Sequence, residues 1–223
     1  MTLTESQLTA MLEMQDGMNN KVNPDWVSAN NNWHRAIQVE GVEAIEHHGW
    51  KWWKKQECDM AQLRMELVDI WHFMLSAAIQ NKHGNIALAK LDMISELNLR
   101  QKSVQFDNQY YLLAQLSLLE KLDLQVGLAA ARRTNLALFE SVLSDCGMDW
   151  TSLFRQYIGK NVLNMFRQDH GYKAGSYIKI WDGREDNEHL VEILEMAELN
   201  DGDVRDALYQ SLKARYVVLP ENQ

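Results

Sequence analysis

The chain predicts an all-α protein, and three observations carry that expectation. Only two of its 223 residues are proline, Pro24 and Pro220, so a run of nearly two hundred residues holds no obligatory helix breaker. Apolar residues recur at spacings of three and four through most of its length. No segment alternates polar and apolar residues for long enough to build a sheet.

The elements follow in order. Thr4 to Gln7 has the form of a capping box and leads into Leu8, Met11, Leu12 and Met14 at helical spacing. This first helix ends before the polar, turn-rich stretch Asn19 to Asp25. A second helix is predicted from about Asn31 to His48, stopped by Gly49, and a third from Met60 to Asn81, ending near the His83-Gly84-Asn85 turn. Ile86 to Asn98 and Asn108 to Asp145 read as further helices with Leu, Ala and Met on their apolar stripes. Trp150 to Gln168 is another, capped by Asp149 or Thr151. Residues His170 to Asn187 change texture, with three glycines among alternating polar and aromatic residues, and read as a loop with room for a short hairpin. Glu188 to Leu199 and Val204 to Tyr216 close the chain as helices. There is no internal repeat and no low-complexity linker, so residues 1–223 are expected to form one domain.

Composition narrows the function. The net charge of −9 argues against a surface for polyanionic nucleic acid, although it leaves room for a small anion-binding patch. Cys58 and Cys146 have no metal-binding or redox spacing and read as thiols of a reducing compartment. No signal-peptide pattern is present, and no apolar run reaches the roughly 20 residues needed to span a membrane. A cytoplasmic location is the expectation.

The acids supply the candidate chemistry. At about 100° per residue, Trp33, Ala36, Ile37 and Ala44 fall within about 60° of Glu40, and Glu43 lies at the edge of the same arc. Glu46 falls about 120° from Glu40 and outside it. In the third helix Glu66 is centred among Leu63, Ile70, Phe73 and Ala77, with Asp69 flanking it one turn on. Successive helices joined by a short connection pack as antiparallel neighbours, which would bring the two pairs face to face. Four inward carboxylates cannot all stay ionised without countercharge. Either arginines, lysines and backbone donors satisfy them, or a hard divalent cation does, and Mg²⁺ suits carboxylate and phosphate oxygens.

The order Glu40-x-x-Glu43, WKWWK at Trp50 to Lys54 and ELVDIWHF at Glu66 to Phe73 resembles the dimeric all-α dUTPases, which belong with the MazG-like nucleotide pyrophosphatases. MLEMQDGMN, Met11 to Asn19, is similar to that family's opening motif, and Gly159 to Asn187 to its distal motif. The motif-bearing parts are therefore 11–73 and 159–187, and the middle of the chain carries no motif of its own. The resemblance implies a homodimeric, Mg²⁺-dependent dUTP diphosphatase, with two or more ions held by Glu40, Glu43, Glu66 and Asp69. Its products would be dUMP and pyrophosphate, and dUDP a further substrate; such an enzyme keeps uracil out of DNA and supplies dUMP for dTMP synthesis. It also implies that Gln15 and Asn19 read the base and that Trp52 or Trp53 walls its pocket, the tryptophans being part core and part wall. His72 would lie near the nucleotide, Asn164 and Tyr172 would hold the deoxyribose, and Lys160, Arg167, Lys173 and Lys179 would meet the phosphates. Asp16 departs from the family pattern, standing where an amide is expected, and Glu46 stands where aspartate is frequent. Two other readings stay open from sequence: a house-cleaning pyrophosphatase for another nucleoside triphosphate, and a non-catalytic helical binding protein.

Overall fold

The computed structural model describes residues 2–196 and 204–216. The fold is all-α, with helices α1 (Glu5–Val22), α2 (Trp33–His48), α3 (Met60–Asn81), α4 (Ile86–Asn98), α5 (Leu118–Ala130), α6 (Leu136–Asp145), α7 (Trp150–Asp169), α8 (Asp186–Met196) and α9 (Val204–Tyr216). The predicted third and fourth helices have the observed bounds. The final three residues of the predicted Glu188 to Leu199 helix lie outside the described residues, and α8 begins two residues earlier than expected.

Local chemistry accounts for the helix ends. Thr4 Oγ1 accepts from the Gln7 N–H at 3.2 Å while the Thr4 N–H donates to Gln7 Oε1 at 3.1 Å, so the capping box forms as read. Asn32, Asp59, Asn85, Ser117, Asn135 and Asp149 cap the next six helices by accepting from a first-turn N–H, and Ser117 and Asp149 complete a reciprocal capping box. Gly49 ends α2 in the left-handed region at φ 83°, where a side chain would be strained.

One expectation is overturned. Asn108 does not open a helix: Ser103–Phe106 (β1) and Gln109–Leu112 (β2) pair as an antiparallel hairpin. Asp107 and Asn108 form its two-residue turn at φ 48° and 60°, the conformation this tight connection demands. Strands of four residues are too short to display a period of two. The Ser117 cap then starts α5, and residues 131–135 separate α5 from α6. A second small hairpin, Ile180–Trp181 (β3) with Arg184–Glu185 (β4), occupies the 170–187 loop and turns at Asp182-Gly183.

Packing then places the site. The Asp59 N–H donates to the His47 carbonyl at 2.8 Å, so α3 starts where α2 ends and the two run antiparallel, as their short connection predicts. Helix α2 also lies close against α5, where a Cβ on Gly41 would meet Val126 Cγ2 at 2.7 Å. The main core gathers Leu8, Leu12, Leu67 and Trp71, whose ring stacks on Phe139 at 5.4 Å and meets Trp150 at 5.2 Å. A second core of Leu163, Phe166, Trp181, Leu190 and Leu212 ties α8, α9 and the loop to the end of α7. Helix α7 serves both, giving Leu153 and Tyr157 to the first and Val162, Leu163 and Phe166 to the second. Its middle turn, Lys160 and Asn161, therefore sits at the junction of the two cores.

Candidate metal and nucleotide site

Antiparallel packing of α2 on α3 brings the predicted acids together. Glu40, Glu43 and Glu66 each direct a carboxylate oxygen to within 4.8 Å of the others. Glu66 is buried in its apolar arc, and Glu43 opens to solvent. Burial pushes Glu40 up to about 7, helped by the charges of Asp69 and Glu43, with a hydrogen bond to Glu66 partly offsetting them. Burial likewise pushes Glu66 up to about 8; Asp69 adds to the rise and Lys160 opposes it. Burial and crowding with like charge thus favour the protonated form of both carboxyls, more than Lys160 offsets. The donor set is hard, oxygen-only and crowded, which fits a divalent ion such as Mg²⁺.

Asp69 stands at the edge of the cluster and is met from α7. Lys160, itself buried, donates from Nζ to Asp69 Oδ2 at 2.8 Å and to Asn187 Oδ1 at 3.0 Å. His47 Nε2 lies 3.4 Å from Glu66 Oε1 at the other edge. Glu46 takes no part: its carboxylate accepts from Trp50 Nε1 and Lys51 Nζ, both at 2.6 Å, on the outer face of α2.

Beside Asp69 lies a buried polar chain. Gln15 Nε2 donates to Asn19 Oδ1 at 3.0 Å, and Asn19 Nδ2 donates to Ser76 Oγ at 3.0 Å. The Tyr157 hydroxyl reaches the Met11 carbonyl at 2.9 Å and Gln15 Oε1 at 3.1 Å. His72 stacks on Tyr157 with ring centroids 4.2 Å apart and donates from Nδ1 to the Val68 carbonyl at 2.8 Å. Its buried Nε2 has no partner within the protein. Burial lowers His72 to about 4, so the ring is neutral at physiological pH and Nε2 is an open acceptor.

The remaining predicted residues are more scattered. Arg167 forms a bidentate pair with Asp186, from Nε at 2.8 Å and Nη2 at 2.7 Å, and also donates to Asn164 Oδ1 at 3.1 Å. Tyr177 adds a hydroxyl bond to Asp186 at 2.8 Å. Burial pushes the wholly buried Asp186 upward, but Arg167 outweighs it and holds the carboxyl below its usual range. Tyr172 is exposed, with the Arg167 guanidinium 5.9 Å from its ring centroid. Lys173 Nζ donates to the Val22 carbonyl at 2.7 Å, and Lys179 pairs with Glu185 at 2.9 Å on the surface.

The tryptophans need a correction. None of the WKWWK tryptophans is core: Trp52 is 89% exposed and Trp53 56%, with Trp50 also at the surface. They pack edge-to-face on one another instead, at 5.1 Å (Trp50–Trp53) and 5.2 Å (Trp52–Trp53). Among the described residues their aromatic surface stays uncovered.

Sequence reasoning did not single out Ser76, Tyr157, Asp186 or Asn187. A signal existed for the first two. Asp69, His72 and Ser76 share one face of an otherwise apolar α3, as Tyr157, Lys160, Asn161 and Asn164 do on α7. Polar stripes facing inward on two packed helices mark a site.

Fold and geometry together define an all-α protein with an inward acid cluster of the kind that takes hard divalent cations, flanked by a buried lysine and a buried amide pair. A family model described as dUTPase matches residues 7–172, about three quarters of the chain, and the chain belongs to that family. It is accordingly a hydrolase of the dUTP diphosphatase type. The matched span takes in α4 to α6, which carry no motif recognisable by eye, and ends just inside the distal block. No curated protein matches the chain.

Proposed function

We propose that this enzyme hydrolyses dUTP to dUMP and pyrophosphate with Mg²⁺, and acts on dUDP as a lesser substrate, with Glu40, Glu43, Glu66 and Asp69 as the residues that hold the ions. The convergence of the carboxylates from α2 and α3 supports this reading most directly. Bound Mg²⁺, in two or more ions, would neutralise the triphosphate and lower the pKa of the attacking water. The chain's own part is placement and proton handling. One of the glutamates, kept ionised by the bound cation, would accept the proton from water.

Lys160, fixed between Asp69 and Asn187, is the cation set to meet a phosphate oxygen beside the acids. Arg167, Lys173 and Lys179 would exchange their present partners for phosphate. Asn164 and Tyr172 would hold the deoxyribose, and Gln15, Asn19 and His72 would read the base, with Trp52 or Trp53 closing over it. The working form would be a homodimer: Val39 and Val42 on α2 and the three tryptophans leave apolar surface exposed that a second copy would cover. Such an enzyme, a MazG-like pyrophosphatase acting on the nucleotide pool, would work in the cytoplasm. Among the described residues no helix is long and apolar enough to cross a membrane.

The test is pyrophosphate release from dUTP, dCTP, dTTP and UTP with Mg²⁺ and after chelation. Turnover of dUTP above the others is expected: a site built to hydrogen-bond the uracil edge should refuse dCTP by about a hundredfold or more, whereas dTTP and UTP share that edge and must be refused by shape, at the C5 methyl and the 2′-hydroxyl. Equal turnover of all four would sink the uracil claim, and undiminished activity in chelator would sink the metal claim.

A further inference from the structure

The buried chain Tyr157–Gln15–Asn19–Ser76 joins three helices and ends at both sides on a helix carbonyl, that of Met11 and that of His72. Every internal link pairs groups able to exchange roles, because a hydroxyl both donates and accepts and an amide does each at one end. Two polarities are therefore consistent with the protons available. In the one observed, Ser76 Oγ donates to the His72 carbonyl at 3.0 Å and so accepts from Asn19; the Asn19 oxygen then faces Gln15 Nε2, and the Gln15 oxygen faces Tyr157. In the reverse polarity both amides turn over, Ser76 donates to Asn19, and Tyr157 gives its proton to Met11 alone. Turning the amides exchanges donor for acceptor at each position a base edge would meet.

Both polarities use the same four protons, and they differ in the hydroxyl each needs as an acceptor: the observed one needs Ser76 Oγ to receive the Asn19 N–H₂, and the reverse needs the Tyr157 hydroxyl to receive the Gln15 N–H₂. We propose that Ser76 is a positioning residue that fixes the hydrogen-bond polarity of the Gln15–Asn19 pair and thereby sets which base edge the pair accepts. This rests on the reading of Gln15 and Asn19 as the base-facing groups. Uracil presents its central N–H between two carbonyls, whereas cytosine offers an acceptor at the centre and a donor at one side, so a pair of one polarity suits one edge and not the other.

Removing the two ends of the chain has opposite consequences. Without the Ser76 hydroxyl, the observed polarity aims the Asn19 N–H₂ at a methyl group, and the reverse keeps full bonds from Asn19 to Gln15, Gln15 to Tyr157 and Tyr157 to Met11. Without the Tyr157 hydroxyl, the observed polarity keeps its bonds from Gln15 through Asn19 and Ser76 to His72, and the reverse loses its acceptor. Steady-state kinetics of the full chain with Mg²⁺ on dUTP and dCTP test this. Ser76→Ala should lower the dUTP-to-dCTP ratio of kcat/KM about tenfold, the effect of one net hydrogen bond. The loss should fall on KM for dUTP, with kcat held within about threefold. Tyr157→Phe should hold or raise the ratio. An unchanged ratio in Ser76→Ala beside a collapsed one in Asn19→Ala overturns the polarity lock and leaves the base site standing. Unchanged ratios in both overturn the base-facing reading and the lock with it. A fall in Tyr157→Phe as large as that expected for Ser76→Ala overturns the lock, whether or not Ser76→Ala folds.

Discussion

Two groups of buried charge lie a few turns apart in this protein and are handled in opposite ways. Around Asp186 every charge is answered: Arg167 grips the carboxylate with two nitrogens, Tyr177 adds a hydroxyl, and Asp186 stays ionised although wholly buried. Around Glu66 the charges are in surplus. Glu40, Glu43, Glu66 and Asp69 crowd together with Lys160 as the main countercharge, and Glu40 and Glu66 answer by holding protons. The first arrangement is closed and ties the 170–187 loop to α7. The second is open and stands to gain from a ligand of opposite charge. Charge that a fold buries without balancing is a better guide to function than charge it buries and satisfies.

Replacing Glu66 with Gln presses hardest on this contrast. It should cut dUTP turnover by about 10³-fold or more, the scale of losing one preorganised electrostatic contact, while circular dichroism stays native. Activity within tenfold of the parent would show that the open cluster is not the catalytic one.

Asp186→Ala should act on stability instead. It strands a largely buried guanidinium and should cost about 3–5 kcal/mol in urea denaturation at pH 7. A loss below about 1 kcal/mol would mean that Arg167 readily finds another partner and that the clasp is not closed.

Acidity separates the regions more gently. The folded-state values of Glu40 and Glu66 lie above the ordinary carboxylate value of 4.5, so the native state binds more protons than the unfolded chain between that value and about 8. Stability of the metal-free enzyme should therefore be highest on this account at the acid end of the window and fall as pH rises through about 7 to 8. Mg²⁺ balances the ionised form and should flatten that fall. Thermal unfolding from pH 5 to 9, with Mg²⁺ and with chelator, reads both slopes; coincident curves would mean that these carboxyls bind no cation.

Much of this was legible in the chain itself. Helices α1 to α4 and α7 follow from periodicity and caps that act within four residues, as Thr4 with Gln7 illustrates. The inward placement of Glu66, the position of Glu40 and Glu43 on the face of α2 that meets it, and the outward placement of Glu46 follow from helix geometry alone. The β1–β2 hairpin escaped because four-residue strands are shorter than the pattern that reveals them. Arg167 shows a different limit: its place in a basic block suggests phosphate, and its pairing with a carboxylate on another element could not be read from spacing.

The sequence by itself determined most of the helices, their N-caps, the burial of Glu66 and the exposure of Glu46, because those outcomes depend on neighbours within a turn or two. Only the tertiary structure decided that Lys160 meets Asp69, that Tyr157 reaches Gln15 across 142 residues, that Arg167 closes on Asp186, and that the WKWWK tryptophans stay at the surface. Those pairings depend on which helix faces pack together. Packing is settled by burial summed over the whole core, a quantity no short stretch of sequence contains.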